Sequence, residues 1–273
     1  MGLFYNNGVA GSGVSKNVPK KKLFFRFWEV FANKFWKFFQ INLIFFLFCI
    51  PIVTIGPAIA AMTALMRNFY LERPQFIFHD FKEEFKKNFK QALPIGLLDV
   101  LATAIGVFAM LYYAKHPEMD TTSTVLYVLC LVGVALVIMM SFYIYPQIVA
   151  LDLKLGTIVR NSLLLVFLNP IGDIITLACF VGYTALVAYL WLYVLCLSPI
   201  VPFAWLGFIS VFCCYPTIQR VLINPYYEKT GERNPEIPDY EQDAVFTDNG
   251  GKDEPINVKE KEKNAKQRGK IIK

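Results

Sequence analysis

The chain has 273 residues, of which 56% are hydrophobic and 18% are charged, and its formal net charge is +6. Soluble domains carry about a quarter charged residues, so this composition argues against an ordinary soluble domain. Several apolar blocks reach the roughly 20 residues that a helix needs to cross a hydrocarbon core about 30 Å thick. The basic residues flank these blocks and form no patch with base-stacking aromatics, which argues against nucleic acid as a partner.

The N-terminal stretch, residues 1–19, is polar and rich in Gly, Ser and Asn, and it predicts a disordered segment. No cleavable signal peptide is expected, because Lys20, Lys21 and Lys22 precede the first apolar block and no small-residue cleavage site follows it. We expect the transmembrane domain over residues 20–224.

The first apolar block is interrupted by Pro51, Gly56 and Pro57. Two prolines and a glycine within seven residues cannot continue one straight helix. The block is therefore either a single kinked span or a hairpin of two short helices, at about 33–50 and 57–70.

Charge placement favours the hairpin. Basic residues cluster before the block, at residues 16–37, and after it, at residues 67–90. Both clusters stay on the cytoplasmic side only if the chain reverses between them. The exposed carbonyl groups at the turn, between Pro51 and Pro57, would then need partners from protein or water.

A stripe of apolar side chains at four-residue spacing follows, opposite a face that carries Lys and Glu. Its members are Ile77, Phe81, Phe85 and Phe89. The pattern predicts an in-plane amphipathic helix over residues 76–90, with the Phe side in lipid or against the bundle.

Four longer spans are predicted after this helix, at about 92–114, 123–149, 171–195 and 199–223. Of the 17 Lys and Arg residues before residue 225, only Lys115 then lies on the outer side. This bias places both termini in the cytoplasm. Residues 225–273 lack apolar periodicity and predict a disordered cytoplasmic tail.

Short matching motifs favour an internal duplication. Tyr145-Pro146 ends one predicted span, and Tyr215-Pro216 ends another 70 residues later. A basic residue followed by Asn, at Lys87-Asn88 and Arg160-Asn161, precedes each pair of spans. The pattern is typical of a repeated two-helix unit, and a chance match of so few residues is the alternative.

Chemistry-bearing residues are sparse. Asp99 lies inside a predicted span, and Asp173 lies at the start of another. A carboxylate within the membrane is a functional candidate, because burying a charge costs free energy that must be offset. The cysteines lie in apolar blocks, and His79 and His116 lack metal-ligand partners at useful spacing, so we expect no catalytic, cofactor or metal site. The candidate functional or structural residues are Pro51, Thr54, Gly56, Pro57, Asn88, Asp99, Tyr145, Pro146, Tyr215 and Pro216.

Three sequence stretches, Asn42-Leu43, Pro51–Ala58 and Phe85–Gln91, resemble the YesL-type family of bacterial membrane proteins. The resemblance covers roughly residues 20–225, and the N-terminal extension and the charged tail depart from the family pattern. The family is largely a domain of unknown function, found mostly in Gram-positive bacteria and associated with carbohydrate uptake. The resemblance implies a multi-pass plasma-membrane protein and supplies no catalytic or binding residues.

The expected fold is thus an all-α, polytopic bundle of about six transmembrane helices with one in-plane amphipathic helix. The expected function is that of a non-enzymatic accessory or regulator of carbohydrate uptake. Its expected partners are the lipid bilayer and subunits of a sugar transporter. A small-solute permease or channel is the alternative, and the oligomeric state stays open.

Overall fold

The computed structural model describes residues 23–114, 121–190 and 202–237. Within these ranges the regular structure is helical and no strand occurs. The helices are α1 (Leu23–Asn33), α2 (Phe35–Cys49), α3 (Ile55–Tyr70), α4 (Ile77–Ala114), α5 (Thr121–Ala150), α6 (Leu155–Leu168), α7 (Pro170–Tyr189), α8 (Pro202–Ile218) and α9 (Asn224–Thr230). The predicted N-terminal segment at 1–19, Lys115, His116 and most of the tail lie outside the described residues.

The prediction of an all-α polytopic bundle is confirmed. Five segments are long and apolar enough to cross a membrane: Ile52–Tyr70, Ile77–Ala114, Thr121–Ala150, Pro170–Tyr189 and Phe203–Thr230. Helices α2 and α6 are apolar but shorter. The chain divides into a unit that ends at Lys34, which contains α1, and a second unit that begins at Phe35. In the first unit, the parallel rings of Phe27 and Phe31 lie 6.4 Å apart.

Apolar side chains on the outside of the bundle are typical of a protein embedded in lipid. On α4, one face presents Leu98, Leu101, Ile105 and Phe108, all of which are more than half exposed. Their three- and four-residue spacing places them on a single side of the helix. A soluble protein rarely leaves such a continuous apolar face open to water.

Helices α2 and α3 form the predicted hairpin. The rings of Phe38 and Phe69 lie 5.2 Å apart, although 31 residues separate them in the chain. A single helix would hold them roughly 45 Å apart at 1.5 Å per residue. The chain reverses through a 3-10 turn at Ile52–Thr54. Within this turn, Oγ1 of Thr54 lies 2.6 Å from the carbonyl of Phe48 and 2.7 Å from that of Pro51. Its single proton can be donated to the Phe48 carbonyl, which is freed at the end of α2, because the Pro51 carbonyl already accepts from the backbone of Thr54.

The prediction of a separate in-plane helix over residues 76–90 is corrected. Residues 77–114 form one continuous helix that includes Pro94, and its length is roughly 57 Å, well beyond the thickness of the hydrocarbon core. Its first half therefore projects past the apolar layer. The phenylalanine stripe packs against the bundle: Phe48 lies 5.2 Å from Phe81 and 4.8 Å from Phe85, ring to ring.

The loop predicted between the spans at 123–149 and 171–195 contains a helix. Residues 155–168 form α6, which ends where Pro170 begins α7. The side chain of Asn169 accepts a hydrogen bond from the backbone of Gly172 and caps α7. The described part of α7 ends at Tyr189, and α8 begins at Pro202.

In the second unit, the ends of α3, α5 and α8 and the first half of α4 lie at one end of the bundle. The side chain of Gln91 donates to the carbonyl of Leu153, so the first half of α4 lies beside the C-terminal end of α5. Arg67, near the end of α3, donates to the hydroxyl of Tyr215, near the end of α8. Within the second unit, this arrangement brings Arg67 and the basic first half of α4 to the same end of the bundle.

Helices α3 and α4 cross at two glycines, Gly56 and Gly96. A methyl group on Gly56 would lie 2.7 Å from Cα of Gly96, which is closer than side-chain carbons approach. We predict that Gly56→Ala lowers the free energy of unfolding by about 1–3 kcal/mol, because the backbones of α3 and α4 cannot move apart here without losing their packing. The change is measured as the midpoint of thermal unfolding of the purified chain in mild detergent.

The matched control is Gly133→Ala on α5, where an added methyl meets no atom within 4 Å. This variant should unfold at the wild-type temperature or slightly above it. Equal midpoints for Gly56→Ala and the wild type would contradict the close crossing.

Candidate functional site

A cavity of about 630 Å³ lies among α2, α3, α4, α5, α7 and α8. Aromatic rings form part of its wall, including Phe45, Phe142, Phe180 and Phe203. Its polar lining residues are Thr63, Asp99, Thr103, Ser141, Tyr145 and Ser210. The cavity is therefore an apolar chamber with a few polar groups, a composition typical of small-molecule sites.

Asp99 is the charged residue in this wall. Its Oδ2 accepts hydrogen bonds from Oγ of Ser141, at 2.6 Å, and from the hydroxyl of Tyr145, at 3.2 Å. Ser141 and Tyr145 are four residues apart on α5, so they share the face that meets α4. Among the described residues, no hydrogen bond reaches Oδ1 of Asp99.

A second carboxylate lies across α5. Asp173 is 1% exposed, and its Oδ1 accepts from the hydroxyl of Tyr143 at 2.8 Å. Tyr143 and Tyr145 are two residues apart and thus about 200° apart around the helix, so α5 reaches a carboxylate on each side. Cys214 also contacts Asp173, with Sγ 3.6 Å from Oδ1.

The two carboxylates follow the same tripeptide. Pro94-Ile95-Gly96 precedes Asp99 on α4, and Pro170-Ile171-Gly172 precedes Asp173 on α7. Both helices pack against α5 and each carboxylate meets one of its tyrosines. The spacing differs, however, because Asp99 is the third residue after Gly96 whereas Asp173 follows Gly172 directly. Both carboxylates also meet α5, whereas a duplicated two-helix unit would pair Asp173 with α8, so these contacts do not extend the repeat.

A third polar cluster joins Arg67, Tyr215, Gln219 and Glu236. Glu236 is almost completely buried, and its Oε1 lies 2.5 Å from Nη2 of Arg67. Its carboxylate also accepts from the hydroxyl of Tyr215 and, at 2.7 Å, from the side chain of Gln219. The Arg67 guanidinium donates to Tyr215 at 2.6 Å, so the whole cluster is connected.

This cluster corrects the start of the predicted disordered tail. The tail was predicted from residue 225, but residues 224–230 form α9 and the chain then folds back so that Glu236 enters the bundle. Arg73 supports the fold-back by donating to the carbonyl of Pro235 at 2.6 Å. Partial burial lowers the pKa of Arg73, and the nearby Arg67 lowers it further. Residues 238–273 lie outside the described residues.

The ten candidate residues do not converge on one site. Asp99, Tyr145 and Pro146 line the cavity, and Tyr215 belongs to the third cluster, followed in α8 by Pro216.

The remaining candidates are separate from the cavity wall. Pro51, Thr54, Gly56 and Pro57 build the junction between α2 and α3. Asn88 is buried on α4 and donates to Glu84, both to its backbone carbonyl at 3.0 Å and to its carboxylate at 2.9 Å.

Sequence reasoning missed the partners that complete these clusters. Ser141 and Tyr143 lie within an apolar run and look like ordinary span residues. Arg67 was assigned to a flanking basic cluster, although its position at the end of an apolar helix was a usable signal. Glu236 lies in a polar stretch and carried no signal at all. Within the described ranges, no group of three His, Cys, Asp or Glu side chains is placed to hold a metal ion.

Residues 38–110 match the model of a family described as "Protein of unknown function, DUF624". The matched segment covers most of α2, all of α3 and most of α4. It contains the Pro51–Ala58 and Phe85–Gln91 stretches that carry the sequence resemblance. Comparison with curated proteins and with solved structures found no match.

We predict that Arg67→Met lowers stability by about 3–5 kcal/mol, because it leaves the carboxylate of Glu236 buried without its cation. Adding Glu236→Gln to that variant should recover part of the loss, since the two side chains act as a pair. The free energies come from denaturant unfolding in detergent.

Arg220→Met is the control, because Arg220 is an exposed arginine close to Tyr215 in the chain. It should change stability by less than about 0.5 kcal/mol. If the effects of Arg67→Met and Glu236→Gln simply add, the two residues are not coupled.

Proposed function

We propose that this protein is a non-enzymatic membrane component that serves carbohydrate uptake by binding a transporter subunit. The observation that carries the proposal is the first half of α4, residues 77–91, here called the α4 arm. The arm continues a membrane span as one rigid helix, and its apolar stripe is fixed against Phe48. Its opposite side is therefore held out toward the aqueous phase.

The α4 arm carries a row of exposed cations beside its apolar stripe, about 100° away around the helix. Lys82, Lys86 and Lys90 recur at four-residue spacing and are all exposed. A row of this kind suits an acidic surface on a partner protein, because charge complementarity steers association and fixes orientation. By the positive-inside bias, this end of the bundle faces the cytoplasm, where the soluble subunits of a sugar transporter would meet it.

The cavity supports an accessory role over direct sugar transport. A sugar presents hydroxyl groups on every side, and each one needs a hydrogen-bonding partner when it leaves water. The cavity wall is largely apolar, and the hydroxyl of Thr63 already donates to the carbonyl of Ile59 in its own helix. Such a wall is poorly matched to a carbohydrate. The association with carbohydrate uptake itself rests on the resemblance to the YesL-type family.

We predict that the full chain, purified from its native membrane in mild detergent, brings down subunits of a carbohydrate transporter. The double substitution Lys86→Glu and Lys90→Glu should reduce this recovery by about tenfold or more, because like charges replace complementary ones across the interface. Recovery is measured by quantitative mass spectrometry.

The control is Lys154→Glu with Lys229→Glu, which makes the same charge change at two exposed sites outside the α4 arm. It should leave recovery unchanged. A wild-type sample that contains no transporter subunit would overturn the accessory role.

A small-solute permease or channel is the second candidate. The observation that favours it is the carboxylate of Asp99 in a cavity inside the bundle, next to the proline-containing helix α5. Carboxylates within spans are typical of ion and solute pathways.

For this candidate we expect solute flux in proteoliposomes that falls to background in Asp99→Asn, because the amide removes the charge without changing the shape. Asp152→Asn makes the same change at an exposed position and should retain full flux. Proteoliposomes of the wild type that show no flux for sugars, amino acids or inorganic ions would exclude the permease.

A further inference from the structure

The cavity has the size and wall of a site for one small amphiphile. Its volume of about 630 Å³ falls in the middle of the range for ligand pockets, roughly 300–1,000 Å³. The rings of Phe45 and Phe203 pack 5.8 Å apart, and those of Phe142 and Phe180 pack 5.1 Å apart. These pairs offer a rigid apolar surface for a hydrocarbon chain.

The polar corner of the cavity is asymmetric. Ser141 and Tyr145 both donate to Oδ2 of Asp99 and thereby fix the carboxylate. Oδ1 has no hydrogen-bond partner among the described residues, although Asp99 lines the cavity wall. An acceptor oxygen that is held in place beside an empty apolar chamber is suited to a ligand that donates a hydrogen bond.

Charge narrows the class of ligand. The described residues that line the cavity include no Lys, Arg or His, so the protein supplies no cation to Asp99 from this wall. A carboxylate in an apolar setting is stabilised most by a positive donor, because charge-assisted hydrogen bonds are about twice as strong as neutral ones. The surrounding aromatic faces also attract cations.

The depth of the site indicates where the ligand comes from. Asp99 lies eight residues after Gln91, so it is about 12 Å further along α4 than the end that meets Leu153. Val100, which also lines the cavity, is 41% exposed, and the neighbouring Leu98 and Leu101 on the same helix are more than half exposed. A molecule dissolved in the membrane can therefore reach the cavity from the lipid side.

We infer that the cavity binds a membrane-soluble amine, with its ammonium group on Oδ1 of Asp99 and its hydrocarbon chain against the aromatic wall. This site goes beyond the accessory function and does not depend on it, since it uses none of the residues of the α4 arm.

The test uses the full chain in lipid nanodiscs and a photoreactive dodecylamine that carries a diazirine on its chain. Ultraviolet light should attach the probe to peptides of α4, α5 and α8. Excess decylamine should suppress the labelling, whereas decan-1-ol and decanoate at the same concentration should compete about tenfold less well, because they lack the positive donor.

Two pairs of variants connect the labelling to the cavity. Asp99→Asn should reduce labelling by about tenfold, while Asp152→Asn, the same change at an exposed site, should leave it intact. Ala104→Phe fills the cavity and should also abolish labelling, whereas Ala102→Phe adds the same ring to an exposed position of α4 outside the cavity wall.

Unaltered size-exclusion profiles establish that each variant is folded, and Ala104→Phe tests the site with Asp99 in place. Equal labelling of Asp99→Asn and the wild type, or equal competition by the alcohol and the amine, would overturn the inference. Labelling that survives Ala104→Phe would place the probe on the lipid-facing surface and would also overturn it.

Discussion

A carboxylate inside an apolar bundle must be held by hydrogen-bond donors, and the described part of this chain meets that constraint three times with a tyrosine. Tyr145 donates to Asp99, Tyr143 donates to Asp173 and Tyr215 donates to Glu236. In each pair the two residues come from different segments of the chain. The three contacts therefore tie α4 and α7 to α5, and the C-terminal segment to α8. A tyrosine suits this use because its ring packs as an apolar body while its hydroxyl reaches a polar partner.

Much of the architecture could be predicted from the sequence because two signals act over whole segments. Apolar length indicated the spans, and the placement of Lys and Arg chose the reversal at Pro51–Pro57 over a kink. Local breaks were harder to judge. Pro94 lies inside α4 without ending it, whereas Pro170 begins a new helix after α6. A proline indicates that one backbone hydrogen bond is lost, and only the neighbouring packing decides whether the helix continues.

The polar clusters were less predictable, because they depend on pairs that are distant in the chain. Arg67 and Glu236 are 169 residues apart, and neither position alone indicates burial. Glu236 follows Pro235 in a stretch whose composition is typical of disorder. It is buried because Arg67, Tyr215 and Gln219 together supply enough donors to replace its water. Local composition cannot reveal that a carboxylate will meet donors from distant parts of the chain, because it averages over neighbours in sequence and not over neighbours in space.

The three carboxylates differ in the groups that surround them. This difference distinguishes the two carboxylates that hold segments of the chain together from the one that can bind a ligand. Glu236 has a cation from the protein, so its cluster is complete and serves to anchor the C-terminal segment. Asp173 is enclosed beside the capped start of α7, where its role is to join two helices. Asp99 receives two neutral donors on one oxygen and presents the other beside a cavity. Oδ2 of Asp173 also lacks a hydrogen-bond partner among the described residues, but it is buried away from the cavity. Of the three, only Asp99 presents an unpartnered oxygen beside a cavity, and this is why the cavity is the place to look for a ligand.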